Sequence, residues 1–119
     1  FNNWILRVKA SGICGTSVYT SFARITVTNP PHVITQPINK IICENSNTSF
    51  LGSGSGFIGM QWEVSTNGGT SWTNITDDAT YLGAVTNQLS ILNAPVTLNG
   101  NMYRLGLTGT CITVYTNSV

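Results

Sequence analysis

Alternating hydrophobic and polar residues predict that the chain is built around one short β-hairpin. In the segment 61–65, Trp62 and Val64 fall on one face and Glu63 on the other, as in a half-buried strand. The following Asn67-Gly68-Gly69 supplies residues that tolerate positive φ, which a tight hairpin turn requires. The pattern therefore predicts a strand–turn–strand unit with a tryptophan on its inward face.

The rest of the chain contains many short segments of the same kind, separated by turn residues and prolines. Strands are indicated over 4–10, 16–27, 33–36, 39–43, 48–51, 57–65, 72–76, 88–92, 101–107 and 112–119, with a short one at 81–82. No segment indicates a helix, and strands at this spacing predict an all-β sandwich of two antiparallel sheets. Six inward positions are predicted to form its core: Trp62, Val64, Leu89, Ile91, Tyr103 and Leu105.

The first and last hairpins of the chain match each other. Leu6-Arg7-Val8 corresponds to Tyr103-Arg104-Leu105, and Ser11-Gly12-Ile13-Cys14 corresponds to Thr108-Gly109-Thr110-Cys111. The offset, 111 − 14 = 97 residues, is about the size of one sandwich domain of roughly 100 residues. We therefore expect a tandem array, divided here into the last hairpin of a preceding copy (1–29), a stiff proline linker (30–32) and one sandwich repeat (33–119).

Composition narrows the setting in which such a chain works. Charged residues are only 8% of the 119 residues, and the net charge is +1, so no basic surface for nucleic acid or anionic membranes is expected. The polar surface must therefore consist mainly of Thr, Ser and Asn. Such a neutral surface favours a secreted or cell-surface protein. No apolar run reaches the roughly 18 residues of a membrane-spanning helix.

Several motifs together resemble the immunoglobulin-like repeats of very large secreted surface proteins in Bacteroidetes. They are Ile34-Thr35-Gln36-Pro37, Cys43-Glu44-Asn45-Ser46, the segment 61–69, Trp72-Thr73-Asn74-Ile75, Tyr103-Arg104 and Thr108-Gly109-Thr110-Cys111. The resemblance implies an immunoglobulin-like sandwich in an exported adhesin or stalk, often exported by the type IX route. It implies a non-catalytic spacer or adhesion module without a cofactor, whose partners are neighbouring repeats and, as further candidates, surface glycans or proteins.

The sequence departs from antibody-type domains at the disulfide between the sheets. Leu105 stands where such domains have a cysteine two residues after the tyrosine, and the facing segment 50–52 has no cysteine either. Trp62 is therefore expected to pack on aliphatic neighbours instead.

Three cysteines are candidates for bonds between repeats. In immunoglobulin topology, Cys43 and Cys111 would lie at opposite ends of a strand roughly 23 Å long, whereas a disulfide needs Cα atoms about 4.4–6.8 Å apart. We expect Cys43 to reach the hairpin cysteine of the following copy, and Cys14 and Cys111 to find partners in the copies before theirs. Free or locally paired thiols remain the alternative.

Two other functions stay open at this point. A carbohydrate-binding module would place Trp72, Tyr81 and Tyr115 on one face to stack on sugar rings, and a glycan-array signal lost in Trp72→Ala would favour it. A self-assembling extracellular fibre subunit would donate its opening hairpin to a neighbour. A natural product of 12.8 kDa would favour the fibre, and a far larger one the array.

Catalytic and metal-binding patterns are weak in this sequence. His32 is the only histidine, Asp77-Asp78 indicates a solvated loop more than a calcium site, and no serine lies in a nucleophile elbow. The segment 65–72 resembles the Asp-box turn of sialidase propellers, which stabilises a hairpin and carries no catalysis. We therefore expect a protein that is not an enzyme.

Overall fold

A computed structural model describes residues 3–119, and it is all-β as predicted. Within this range it contains one 3-10 helix, Val96–Leu98, and no α-helix. The strands are β1 (Trp4–Leu6), β2 (Lys9–Ser11), β3 (Ser17–Tyr19), β4 (Ala23–Ile25), β5 (His32–Thr35), β6 (Thr48–Leu51), β7 (Ser53–Ser55), β8 (Gly59–Ser65), β9 (Thr73–Asn74), β10 (Tyr81–Leu82), β11 (Gln88–Ile91), β12 (Met102–Thr108) and β13 (Thr113–Tyr115). The predicted segment 1–29 begins with two residues that lie outside the described range.

Two antiparallel sheets face each other in the second part of the chain. One has the order β10–β11–β6 and the other β13–β12–β8–β9, while β5 pairs with β7 at the edge. The longest ladder joins β12 to β8, and in it Leu105 lies opposite Trp62 and Tyr103 opposite Val64. Since side chains alternate along a strand, these pairs point inward together, and the Arg104–Glu63 pair between them points outward.

The core lies between these two sheets. Its buried side chains are Phe50, Trp62, Ile75, Ala84, Leu89, Ile91, Ala94, Tyr103, Leu105 and Leu107. The Phe50 ring bridges the layers, because its centroid lies 5.1 Å from that of Tyr103 and 6.4 Å from that of Trp62. Trp62 thus has an aromatic neighbour as well as the aliphatic ones expected.

The first part of the chain forms a separate hairpin that projects from the sandwich. β1 pairs with β4 and β2 with β3, and every residue from 3 to 30 is exposed. The molecule is correspondingly elongated, with extents of 85 × 23 × 22 Å.

Three predicted strands differ from the observed ones. The segment 39–43 forms no strand and is exposed, because the chain leaves the β5–β7 ladder before Pro37, which cannot donate a ladder hydrogen bond. The predicted strand 4–10 is divided into β1 and β2, and the predicted strand 16–27 into β3 and β4. At the break, the Thr20 hydroxyl accepts a hydrogen bond from the Val8 N–H at 3.0 Å and the ladder is interrupted.

Candidate functional site

The two hairpins of the chain share one unusual hydrogen-bond arrangement. In the first, Val8 N–H donates to Thr20 Oγ1 at 3.0 Å, and Thr20 N–H donates to the Val8 carbonyl at 3.0 Å. In the second, Leu105 N–H donates to Thr116 Oγ1 at 2.9 Å, and Thr116 N–H donates to the Leu105 carbonyl at 2.9 Å. The first strands therefore correspond at an offset of 105 − 8 = 97 and the second strands at 116 − 20 = 96.

An arginine stacked on a tyrosine repeats at the same offsets. The Arg7 guanidinium carbon lies 4.0 Å from the centroid of the Tyr19 ring, and that of Arg104 lies 3.8 Å from the centroid of Tyr115. Each pair joins the two strands of its hairpin on the face opposite Val8 or Leu105. Hydrogen bonds and cation–π pairs thus match independently, and the two hairpins are structural equivalents.

The offset changes by one residue within the hairpin turn. Ser11 pairs with Ser17, whereas Thr108 pairs with Thr113, so the first turn is one residue longer. Sequence matching at the constant offset of 97 misses this insertion. The segments Val18-Tyr19-Thr20 and Val114-Tyr115-Thr116 are the sequence signal that reveals it.

The proline linker is packed against the end of the sandwich. Pro31 and Gly109 are both buried, and a Cβ placed on Gly109 would lie 2.6 Å from Pro31 Cδ. Thr28 Oγ1 lies 3.6 Å from Cys111 Sγ beside this contact. The linker is therefore docked on the turn between β12 and β13.

The three cysteines are free and exposed, and two of them mark opposite ends of the sandwich. Cys111 lies at the linker end. Cys43 borders a cavity of about 400 Å³ at the other end, together with Tyr103 and Val119. The seven-residue strand β12 separates these ends, by about 20 Å. Cys14 lies in the turn of the projecting hairpin.

The predicted core residues lie between the sheets. Trp62, Leu89, Ile91, Tyr103 and Leu105 are at most 4% exposed, and Val64 is partly buried against them.

The three aromatic residues predicted for sugar stacking do not share one face. Trp72 and Tyr115 flank Arg104 on the outer face of the four-stranded sheet, with its guanidinium carbon 4.1 Å from the Trp72 ring centroid. Tyr81 lies in the other sheet, where its hydroxyl is 3.1 Å from that of Tyr103. Burial, and then the hydrogen bond with Tyr103, raises the pKa of Tyr81 above its ordinary range, so the phenol stays protonated.

Arg104 is held from three sides. Besides the two rings, its Nη2 and Nε each lie 2.7 Å from Glu63 Oε2. One face of each aromatic ring is thereby covered by the guanidinium. Sequence alternation places Arg104 on this face but gives no sign of its contact with Trp72, which comes from a different hairpin.

The central hairpin turn is closed by its own side chains. Asn67 Oδ1 accepts the Ser71 N–H at 2.9 Å, and the buried Ser65 hydroxyl accepts the Gly69 N–H at 2.9 Å. Asp77 and Asp78 are likewise used locally, accepting the N–H groups of Ala84 and Thr80 at 2.7 Å each. These side chains stabilise loops.

Two features are absent from the part of the chain that the structure describes, a metal-binding cluster and a membrane-spanning helix. No group of three or more His, Cys, Asp and Glu residues is placed to hold a metal ion there. The helical structure in this range also includes no segment long and apolar enough to cross a membrane.

Comparison with known proteins gave no match. No model of a known protein family matches the chain, and a comparison with curated protein sequences found no similar protein.

Proposed function

We propose that residues 32–119 form an immunoglobulin-like repeat that serves as a non-catalytic structural spacer in an exported cell-surface adhesin or stalk. The observation that carries this proposal is the pair of equivalent hairpins, joined end to end by a docked linker in a molecule 85 Å long. Repeats that contact only their neighbours build extended, quasi-linear structures. Neighbouring repeats are then the partners of each copy.

The order of the strands supports the immunoglobulin-like assignment. The sheets β10–β11–β6 and β13–β12–β8–β9 correspond to the orders D–E–B and G–F–C–C′ of that fold. Trp62 lies on the strand equivalent to C, where the fold has a buried tryptophan. Leu105 fills the usual cysteine position and packs on Gly52, on which a Cβ would lie 3.0 Å from Leu105 Cδ2.

Linker docking makes the spacer semi-rigid, and Gly109→Ala is expected to loosen it. The added methyl group would meet Pro31 Cδ at 2.6 Å and Cγ at 2.7 Å, both in a ring that cannot rotate away. Overpacking of this kind costs about 1–3 kcal/mol, so the undocked linker should become populated. ¹⁵N relaxation should then show the hairpin amides tumbling faster than those of the sandwich.

Gly12→Ala is the matched control, because Gly12 holds the equivalent place in the projecting hairpin. The nearest atom to its added Cβ would be 3.9 Å away, and relaxation should not change. If hairpin and sandwich tumble independently in the unmodified protein, the stalk proposal fails.

We propose that the cysteines at the two ends of the sandwich join consecutive copies. In a head-to-tail array, the Cys43 end of one copy faces the Cys111 end of the next, and an oxidising exterior favours disulfides there. Peptide mapping under non-reducing conditions, on a polypeptide spanning two copies, should recover Cys43 linked to the next copy's counterpart of Cys111. A reduced and alkylated sample is the control, and a Cys43–Cys111 bond within one copy would contradict this pairing.

A further inference from the structure

The projecting hairpin exposes an apolar face whose position is defined by its equivalent in the sandwich. At the offset of 97, Leu6, Val8 and Ala10 correspond to the inward-facing Tyr103, Leu105 and Leu107. Tyr103, Leu105 and Leu107 are at most 4% exposed, whereas Leu6 is 49% and Val8 65% exposed. The apolar face of the hairpin is thus buried in the sandwich and exposed to solvent in the projecting hairpin.

Cross-strand pairing extends this face over the whole hairpin. Val18 pairs with Ala10, and Ile25 pairs with Trp4, so all four side chains lie on the same side as Val8. Val18 is 71% exposed and Ile25 47%. The basic residues of the hairpin, which are Arg7, Lys9 and Arg24, alternate onto the opposite side. The open face is therefore uncharged and suits an apolar partner.

A two-stranded hairpin alone is at best marginally stable in water. A monomeric protein also rarely exposes a contiguous apolar surface of this kind without a function for it. A covering layer is therefore expected to stabilise the hairpin further.

The sandwich shows which surface covers the equivalent face. Tyr103, Leu105 and Leu107 are buried in one cluster with Phe50, Leu89 and Ile91 of the facing sheet. That facing sheet is already occupied by β12 and β13 of its own copy. The projecting hairpin can therefore cover only an equivalent sheet that has no β12 and β13 of its own.

We propose that the apolar face of residues 4–25 binds a further copy of the β5–β11 part of this sandwich, one that has no β12 and β13 of its own, and completes it as the last two strands. This inference rests on the proposed repeat function and names its interface. Leu6, Val8 and Ala10 would take the places of Tyr103, Leu105 and Leu107 in the completed core.

The test uses an extended polypeptide in which a copy of residues 32–100 precedes Trp4, so that Trp4 takes the position of Asn101. Hydrogen exchange of the amides in 5–25 should slow by about 100-fold or more relative to the 119-residue chain, as expected when exposed strands join a folded unit. Because the hairpin side chains are smaller than those they replace, a second version carries Leu6→Tyr, Val8→Leu and Ala10→Leu.

Adjacent residues on opposite faces provide the matched variants. In the extended polypeptide, Val8→Asp should abolish the protection of the hairpin. Lys9→Asp introduces the same side chain on the outer face and should change protection by less than about threefold, as is usual at exposed sites.

Three results would overturn the proposal. One is a hairpin whose amides are unprotected from hydrogen exchange in both versions of the extended polypeptide. Another is an equal loss of this protection in Val8→Asp and Lys9→Asp. The third is protection in the 119-residue chain that rises with concentration, which would assign the face to a second hairpin in a dimer. In each case the relaxation assay on Gly109→Ala still tests the spacer separately.

Discussion

Trp62→Ala should unfold the sandwich or leave it close to unfolding. The indole is fully buried, and its Nε1–H donates to the Thr86 carbonyl at 2.9 Å. Removing a buried tryptophan costs about 3–5 kcal/mol, and a small domain has only about 5–15 kcal/mol in total. Thermal unfolding followed by circular dichroism should show Tm lowered by at least about 12 °C.

Trp4→Ala is the matched control for this experiment. Trp4 is 56% exposed on the projecting hairpin, so its truncation leaves no cavity in the sandwich. Its melting curve should resemble that of the unmodified chain. If Trp62→Ala also melts like the unmodified chain, the indole does not organise the core.

The second large effect is expected from Gly54→Ala in β7. A Cβ at this position would lie 2.2 Å from Leu107 Cδ1 and 2.5 Å from the His32 carbonyl oxygen. Leu107 is fully buried, and the His32 carbonyl belongs to the neighbouring strand β5. Because neither can retreat easily, we expect a loss of about 3 kcal/mol, at the upper end of overpacking costs, measured by urea denaturation.

Gly59→Ala provides the control, since Gly59 is also a strand glycine but has no atom within 4 Å of its added Cβ. It should be neutral or stabilising by up to about 1 kcal/mol, because alanine restricts the unfolded chain. Equal stabilities of the two variants would show that β5 is not held closely against β7.

Alternation along the strands was a sufficient guide to the central sheet. Trp62 and Val64 could be placed on the inward face because Glu63 between them is charged, and the structure pairs Glu63 with Arg104 on the outer face. The prediction of a strand over 39–43, as a continuation of the edge strand beyond Pro37, was wrong. Ile41 in this segment is fully exposed, because a local sequence pattern does not show whether a partner strand is within reach.

The candidate interfaces were harder to predict for a related reason. The hairpin repeat was visible in Arg7 and Arg104, yet the tyrosines on which they stack correspond only at the offset of 96, after the one-residue insertion in the first turn. Pro31 and Gly109 are far apart in sequence but contact each other in the fold. Tyr81 likewise contacts Tyr103 only because tertiary packing brings their strands together. Composition and periodicity describe single segments and contain little information about such contacts.

The positions of β5 and β13 determine how the sandwich would respond to tension. A pulling force would enter at His32, next to the docked linker, and leave near Val119 at the opposite end. The hydrogen bonds of β5 to β7, and those of β13 to β12, run across this line. They would be sheared together and not opened one after another, so a stretched chain should resist extension until a whole copy yields at once.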